Sequence, residues 1–404
     1  MKSHWETSSL GEILAVLRNG VNCKQDKSGV GDKISRIESI SNAKFDIGKV
    51  GFASLSEQEK SRYLLQRGDI LFSHINSPIH VGKTAIFDSN EPVYHGVNLL
   101  LIRPNDSVTP EYLDHALKYI FQSGYWLKAC KQSVNQASVN QQDISKVRVS
   151  FPKSLSEQQR IVSILDEAFA GIAKATANAE KNLANARELF ESYLHSIFAD
   201  KGNGEKAVLG DVCQRLHQGL NTAGEKVKFY DTGYPIIQTR NIDKGLVELD
   251  SKIKFMCEED WQFYKDKYRP EVGDVFFTNI GTIGKTAIVT IDRDYLIHWN
   301  IFKLRPNFEK ITSEFLRYSL QQLTLAGYFE RLQKGGTVDF VTKKMISGVL
   351  IYLPNIATQK QITVMLDELS SETIKLEAIY QQKLNALEEL KKSILNQAFS
   401  GQLQ

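Results

Sequence analysis

Two Gly-Lys-Thr triplets, Gly82-Lys83-Thr84 and Gly284-Lys285-Thr286, are the first residues in the chain that suggest chemistry. A lysine after a glycine turn is how phosphate-binding loops hold nucleotides, but those loops need a further glycine five positions before. Ser77 and Asn279 occupy those positions, and neither triplet sits in a glycine-rich turn opening a helix. The triplets therefore read as tight turns into strands, with Lys83 and Lys285 as candidates for contact with a DNA phosphate. HExxH, GxSxG and GxGxxG motifs are missing. The eight histidines are scattered without metal-ligand spacing. His74, at the head of the polar run HINSPIH, is the one placed to touch a base edge. The acid pairs Asp166-Glu167 and Asp367-Glu368 lie off the apolar seams of helical stretches, so they read as solvated or facing a partner.

Without a catalytic constellation, the informative residues are polar loops lying between strands. In the first half these carry His74, Asn76, Lys131, Gln132, Asn135 and Gln136. In the second they carry Gln238, Arg240, Asn279, Lys334, Gly335, Gly336 and Lys343. Arginine and lysine suit guanine edges, asparagine and glutamine suit adenine, and glycines let backbone N–H groups approach phosphates. The pattern points to reading a nucleic acid.

These loops hang on a duplicated frame. Residues 157–167 read EQQRIVSILDE and residues 358–368 read TQKQITVMLDE, an offset of 201 (358 − 157). RGDILFSHI at 67–75 matches VGDVFFTNI at 272–280, VGKTAIF at 81 matches IGKTAIV at 283, and Arg103-Pro104 matches Arg305-Pro306. The offset drifts between matches, so the halves differ in their connections, where insertions are best tolerated. RGD in one copy against VGD in the other marks a turn before a strand, not a recognition motif.

Each half opens with a stretch that reads as a helix, SLGEILAVLRNG or VLGDVCQRLHQG, closed by Gly20 or Gly219. Strands follow at the GD and GKT turns and at the Arg-Pro pairs. Thr109-Pro110-Glu111 and Thr312-Ser313-Glu314 start a helix by capping chemistry. A short strand then ends at Phe151-Pro152 or Leu353-Pro354. Beyond each proline comes a long helix, with Ser156 and Gln159, or Thr358 and Gln361, as expected capping boxes. The first runs about 63 Å at the α-helical rise and carries an apolar seam at Ile161, Leu165, Ile172, Phe190 and Ile197. The second has its own seam at Ile362, Leu366, Leu376 and Ile394. The expected fold is α+β: two tandem recognition domains of mixed β-sheet with helices, joined by two long antiparallel coiled-coil helices with a pseudo-two-fold. The expected boundaries are 1–155, 156–200, 201–355 and 356–404.

The 404 residues allow two or three domains, and 42% hydrophobic residues are ample for packed cores. A formal charge of +3 permits nucleic-acid binding without demanding it. Cys23, Cys130, Cys213 and Cys257 lie far apart, which fits free thiols in a reducing compartment. No stretch approaches a membrane span and the N-terminal residues lack a signal-peptide core, so a cytoplasmic protein with no membrane partner is expected.

The duplicated layout, the Pro152 to Glu157-Gln158 and Pro354 to Gln359 segments, and the closing Phe399-Ser400-Gly401-Gln402-Leu403 resemble the specificity subunits of type I restriction-modification enzymes. The resemblance covers essentially the whole chain. It implies a non-catalytic, DNA-binding subunit in which each half reads part of a split, asymmetric double-stranded site, with the helices fixing the spacing. It implies docking of two adenine methyltransferase subunits, through Glu157, Gln158, Gln159, Gln359 and Lys360, and of restriction-translocase subunits. S-adenosylmethionine and ATP with Mg would then sit on those partners, with no cofactor in this chain. Thr358 replaces the acid found at Glu157, so the two docking surfaces differ. Two rival readings remain: a purely structural coiled-coil scaffold, and a DNA methyltransferase or nuclease in its own right.

Overall fold

The computed structural model describes residues 5–133, 136–199, 205–249, 252–332 and 340–402. Two compact units divide the chain. The first joins Met1–Glu180 to Gln382–Gln404, and the second is Lys181–Gln381. The boundary falls inside both long helices, so each unit takes one end of each.

Unit one is built on a four-stranded antiparallel sheet in the order Leu14–Asn19, Leu100–Pro104, Ile70–Phe72, Thr84–Ile86. Unit two repeats it with Cys213–Gln218, Ile301–Pro306, Val275–Thr278 and Thr286–Ile288. The opening helices expected from sequence are corrected here. Only Leu10–Ile13 and Leu209–Val212 are helical, the latter as a 3-10 turn, and the rest of each stretch is the first strand. Both strands begin with a bulge, between Leu14 and Val16 and between Cys213 and Arg215. The bulge shifts the side-chain alternation by one residue, which made the stretch look helical in sequence.

The turns follow their residues. Gly82 and Gly284 have φ of +94° and +90°. A Cβ at Gly82 would lie 2.1 Å from the Trp126 ring, so the GKT glycines serve close packing and a left-handed turn. In the GD turn Asp69 accepts from the Gln66 amide at 2.8 Å and takes two bonds from Arg103, at 2.6 and 2.8 Å. The recurring Arg of the Arg-Pro pair is thus the partner of the recurring Asp.

The helix Pro110–Gln122 is capped by Thr109, whose hydroxyl accepts from the Tyr112 amide. Its counterpart Ser313–Leu325 is capped by Thr312. Both long helices have 45 residues, Leu155–Ala199 and Ile356–Ser400. Their caps lie earlier than expected. Ser154 accepts from the Glu157 amide and Asn355 from the Thr358 amide, so Ser156 and Thr358 are not the capping residues.

Within unit one, Ile161, Val162 and Leu165 of the first long helix share a core with Leu395 and Ala398 of the second and with Tyr112, Leu113 and Leu117. Within unit two, Phe190 and Leu194 share a core with Ile362 and Leu366. The two helices run antiparallel inside each unit: Lys391 lies over the Phe169 ring in the first, while Arg187 pairs with Glu377 and Tyr193 reaches Met365 in the second.

Candidate nucleic-acid interface

In unit one the strand Leu14–Asn19 ends at the rim of a cleft of 560 Å³. Asn19, His74, Lys131, Asn140, Gln141 and Gln142 supply its polar lining. Three short strands form one wall, in the order Ile75–Asn76, Gln136–Ser138, Lys131–Ser133. The His74 carbonyl accepts from the Val139 amide at 3.0 Å, which folds this sheet back over the histidine. Asn140 caps the turn Gln141–Ser145 and so aims Gln141 across the cleft, where its amide donates to Asn19 Oδ1 at 3.2 Å.

His74 is 7% exposed, and burial holds its imidazole below the usual histidine range. It is therefore neutral at pH 7, and its Nδ1 has no partner among the described residues. That nitrogen is itself buried, so the ring meets the cleft only through its remaining edge. Lys131 adds an exposed cation. Asn76 is used locally: its amide donates to Ser73 and its carbonyl accepts from the Ser77 amide.

By the repeat, Gln218, Thr342 and Lys343 stand in unit two where Asn19, Asn140 and Gln141 stand in unit one. Thr342 caps the turn Lys343–Ser347 as Asn140 does its own. Beside Gln218, His217 is held below the ordinary histidine value by burial and then by Lys343, Lys303, Lys267 and Arg215. Two of these cations are engaged, Arg215 by Glu271 and Lys303 by the Arg269 carbonyl, which leaves Lys267 and Lys343 to make the exposed surface positive and favour an anionic ligand.

Other expected residues fall elsewhere. Asn279 is corrected: it is 1% exposed, and its amide donates to the Val341 carbonyl at 3.4 Å, tying that segment to the sheet. It is not free to meet a base. Lys285 lies in a separate cavity and donates to the Ile242 carbonyl at 3.0 Å. Lys83 likewise lines a cavity apart from the cleft. Arg240 is exposed on the 3-10 turn Thr239–Asn241, whose amide at Gln238 donates to Asn241 Oδ1. Asn135, Lys334, Gly335 and Gly336 lie outside the described residues, and of Gln132 and Gln136 only the backbone is described. Asn19, Gln142, His217 and Gln218 were not singled out from sequence. The repeated Asn-Gly and Gln-Gly pairs at the strand ends were the available signal for two of them.

The residues expected to dock a partner divide in two. Glu157, paired with Arg160 at 2.9 Å, is partly exposed, and Gln159 and Lys360 are exposed. Gln158 and Gln359 are corrected: both are fully buried. Gln158 accepts from the Thr109 amide at 2.8 Å and donates to the Ser107 and Pro152 carbonyls, each at 2.9 Å. Gln359 repeats this with Thr312, Lys310 and Pro354. These glutamines weld each long helix to its recognition region. The acids off the seam also hold structure. Asp166 accepts from His115 Nε2 at 2.9 Å and Asp367 from the Tyr318 hydroxyl at 2.6 Å.

Among the described residues no group of histidine, cysteine or acid side chains could hold a metal ion, and no helix is long and apolar enough to cross a membrane. Tandem α+β units repeat one sheet and one capped turn beside it, and are joined through long helices. The chain belongs to the type I restriction modification DNA specificity domain family, matching it at residues 2–182 and again at 203–389. It is 30% identical to a protein named as the type I restriction enzyme MjaX specificity subunit of Methanocaldococcus jannaschii, over 99% of this chain and 93% of that one. It is 28% identical to the EcoKI specificity subunit of Escherichia coli strain K12, over 46% of this chain and 40% of the relative. Among solved structures, a chain from a type I R-M system studied for complex assembly and conformational transition superposes with a TM-score of 0.77 at 19% identity, covering 99% of both chains. The HsdS subunit from Thermoanaerobacter tengcongensis gives 0.58 at 19% identity, covering 100% of this chain and 98% of that one. These likenesses establish the fold.

Proposed function

We propose that this chain is the DNA-reading specificity subunit of a type I restriction-modification system and performs no catalysis itself. The observation that carries the reading is the polar cleft of unit one, lined by neutral amides, a histidine and a lysine, together with the repeat that sets Gln218, His217 and Lys343 at the matching place in unit two. Such side chains discriminate base edges while leaving the phosphodiester untouched. Each unit reads one half of a split, asymmetric duplex site, with His74, Lys131, Asn19 and Gln141 in the first and Gln218, His217 and Lys343 in the second. The long helices fix the spacing between the half-sites. Glu157, Gln159 and Lys360 face two methyltransferase subunits, and restriction-translocase subunits join the same assembly. S-adenosylmethionine and ATP with Mg belong to those partners, and the complex works in the cytoplasm.

The test is binding by the chain together with its methyltransferase, measured on random duplexes and on duplexes carrying the methylated adenines mapped in host DNA. Preference for the mapped sites is expected. Equal affinity for both sets would sink the reading. Methyl transfer by the purified chain alone would favour an enzyme instead.

A further inference from the structure

Unit one holds a second cavity that the reading of DNA does not use. It measures 640 Å³, lies between the Thr84 strand, the helix Pro110–Gln122 and the two long helices, and is lined by Lys44, Lys83, Lys118 and Lys391. One of the four is answered: Lys118 donates to Asp114 at 2.6 Å, and Asp114 also takes the Thr84 hydroxyl at 2.8 Å. Asp166, the carboxylate on the wall, is engaged by His115. Lys44, Lys83 and Lys391 form no ion pair among the described residues. Lys391 lies 5.4 Å from the centre of the Phe169 ring. Burial, then the like charges of Lys118 and Lys44, hold its ammonium below the ordinary lysine value, against the pull of Glu388.

The corresponding cavity of unit two is the control. It measures 260 Å³ and is lined by Lys244, Lys285 and Arg317. Each of these has a partner within the unit: Glu377 at 3.8 Å, the Ile242 carbonyl at 3.0 Å and Asp367 at 3.5 Å. By the repeat, Phe190 stands where Lys391 does, and Thr176 stands where Glu377 does. One half has lost a cation and gained an acid, and each of its three cations is engaged from within the unit. The other keeps three lysines without an ion pair around one space, a positive field that attracts an anion.

We propose that the lysine-lined cavity of unit one binds a phosphate group, brought either by a free phosphate-bearing ligand or by a DNA backbone. Separate lysine point charges converging from three elements suit a compact multivalent oxyanion. Only the DNA arm rests on the reading proposed above.

The experiment is thermal unfolding of the full chain in pyrophosphate against sodium chloride at matched ionic strength. A saturable rise in Tm specific to pyrophosphate is expected. Lys391→Gln and Lys44→Gln, both at exposed positions, should each weaken the apparent affinity about tenfold, the weight of one charge-assisted contact. Lys244→Gln in unit two should leave it unchanged. If a short random duplex displaces pyrophosphate, the source is the DNA backbone. If it does not, the source is a free ligand. An equal Tm response to both salts, or an undiminished response in Lys391→Gln, would overturn the proposal.

Discussion

The two halves agree where the chain must hold itself together and differ where it meets something else. Gln158 and Gln359 make the same three hydrogen bonds to the same three places, to within 0.1 Å of 2.8–2.9 Å. The acid of the GD turn already shows divergence. Asp69 is gripped twice by Arg103, whereas Arg305 gives Asp274 one bond at 3.3 Å and shares itself with the Val272 carbonyl and Glu271. The cavities beside the long helices diverge furthest, from lysines without an ion pair in one half to engaged cations in the other. A duplicated fold keeps buried hydrogen bonds because each loss strands a polar group, while exposed charges drift at little cost.

Acid should separate the halves most. His95 in unit one is fully buried, and burial pushes its imidazole down to about 3. The folded state therefore refuses a proton that the unfolded chain accepts. Its contribution is present above the ordinary histidine value and is lost as pH falls from 6.5 towards 3, by roughly 3–5 kcal/mol in total. Hydrogen exchange across that window should show unit one loosening. A His95→Gln variant whose acid profile matches the parent would break the assignment.

Gln158→Ala and Gln359→Ala should each cost about 3 kcal/mol, since each strands one amide and two carbonyls in a buried site. Equal losses in Tm would sharpen the comparison, and a tenfold inequality in local opening would refute it. Arg103→Ala, which leaves the buried Asp69 without its cation, should cost roughly 3 kcal/mol, and Arg305→Ala clearly less. Urea midpoints of the two variants decide this one.

Much of the skeleton was legible because buried demands recur in type and spacing. The Thr109 and Thr312 caps, the GD and GKT turns and the antiparallel helix seams each rest on a local signal present twice. The first strands were misread because a bulge mimics helical periodicity. The site was less legible, since polarity does not reveal direction. Gln158 and Gln359 look like surface residues at the head of a helix, yet both turn inward to carbonyls that only the fold delivers. Asn279 sits in a polar loop, yet its amide closes a core. Conversely His217 gains meaning only when four cations from separate segments gather round it.

The smallest effect bears on DNA directly. Lys131 is exposed at the cleft of unit one and Lys343 at the matching turn of unit two, one beside a neutral histidine and one within a group of cations. If both meet phosphate, Lys131→Ala and Lys343→Ala should each weaken binding evenly across sequences and lower the salt slope by about one. If Lys131 instead reads a guanine edge, its removal should relax one base position in one half-site at about 1–3 kcal/mol and leave the slope nearly intact. The cations near His217 favour the first outcome for Lys343, because a positive surface draws the phosphate backbone, whose condensed counterions it then displaces. The isolation of Lys131 among amides favours the second. Salt titrations of the methyltransferase-bound chain against single-base variants of its site separate the two. Identical slopes and identical base profiles for both variants would erase the difference drawn between the two lysines.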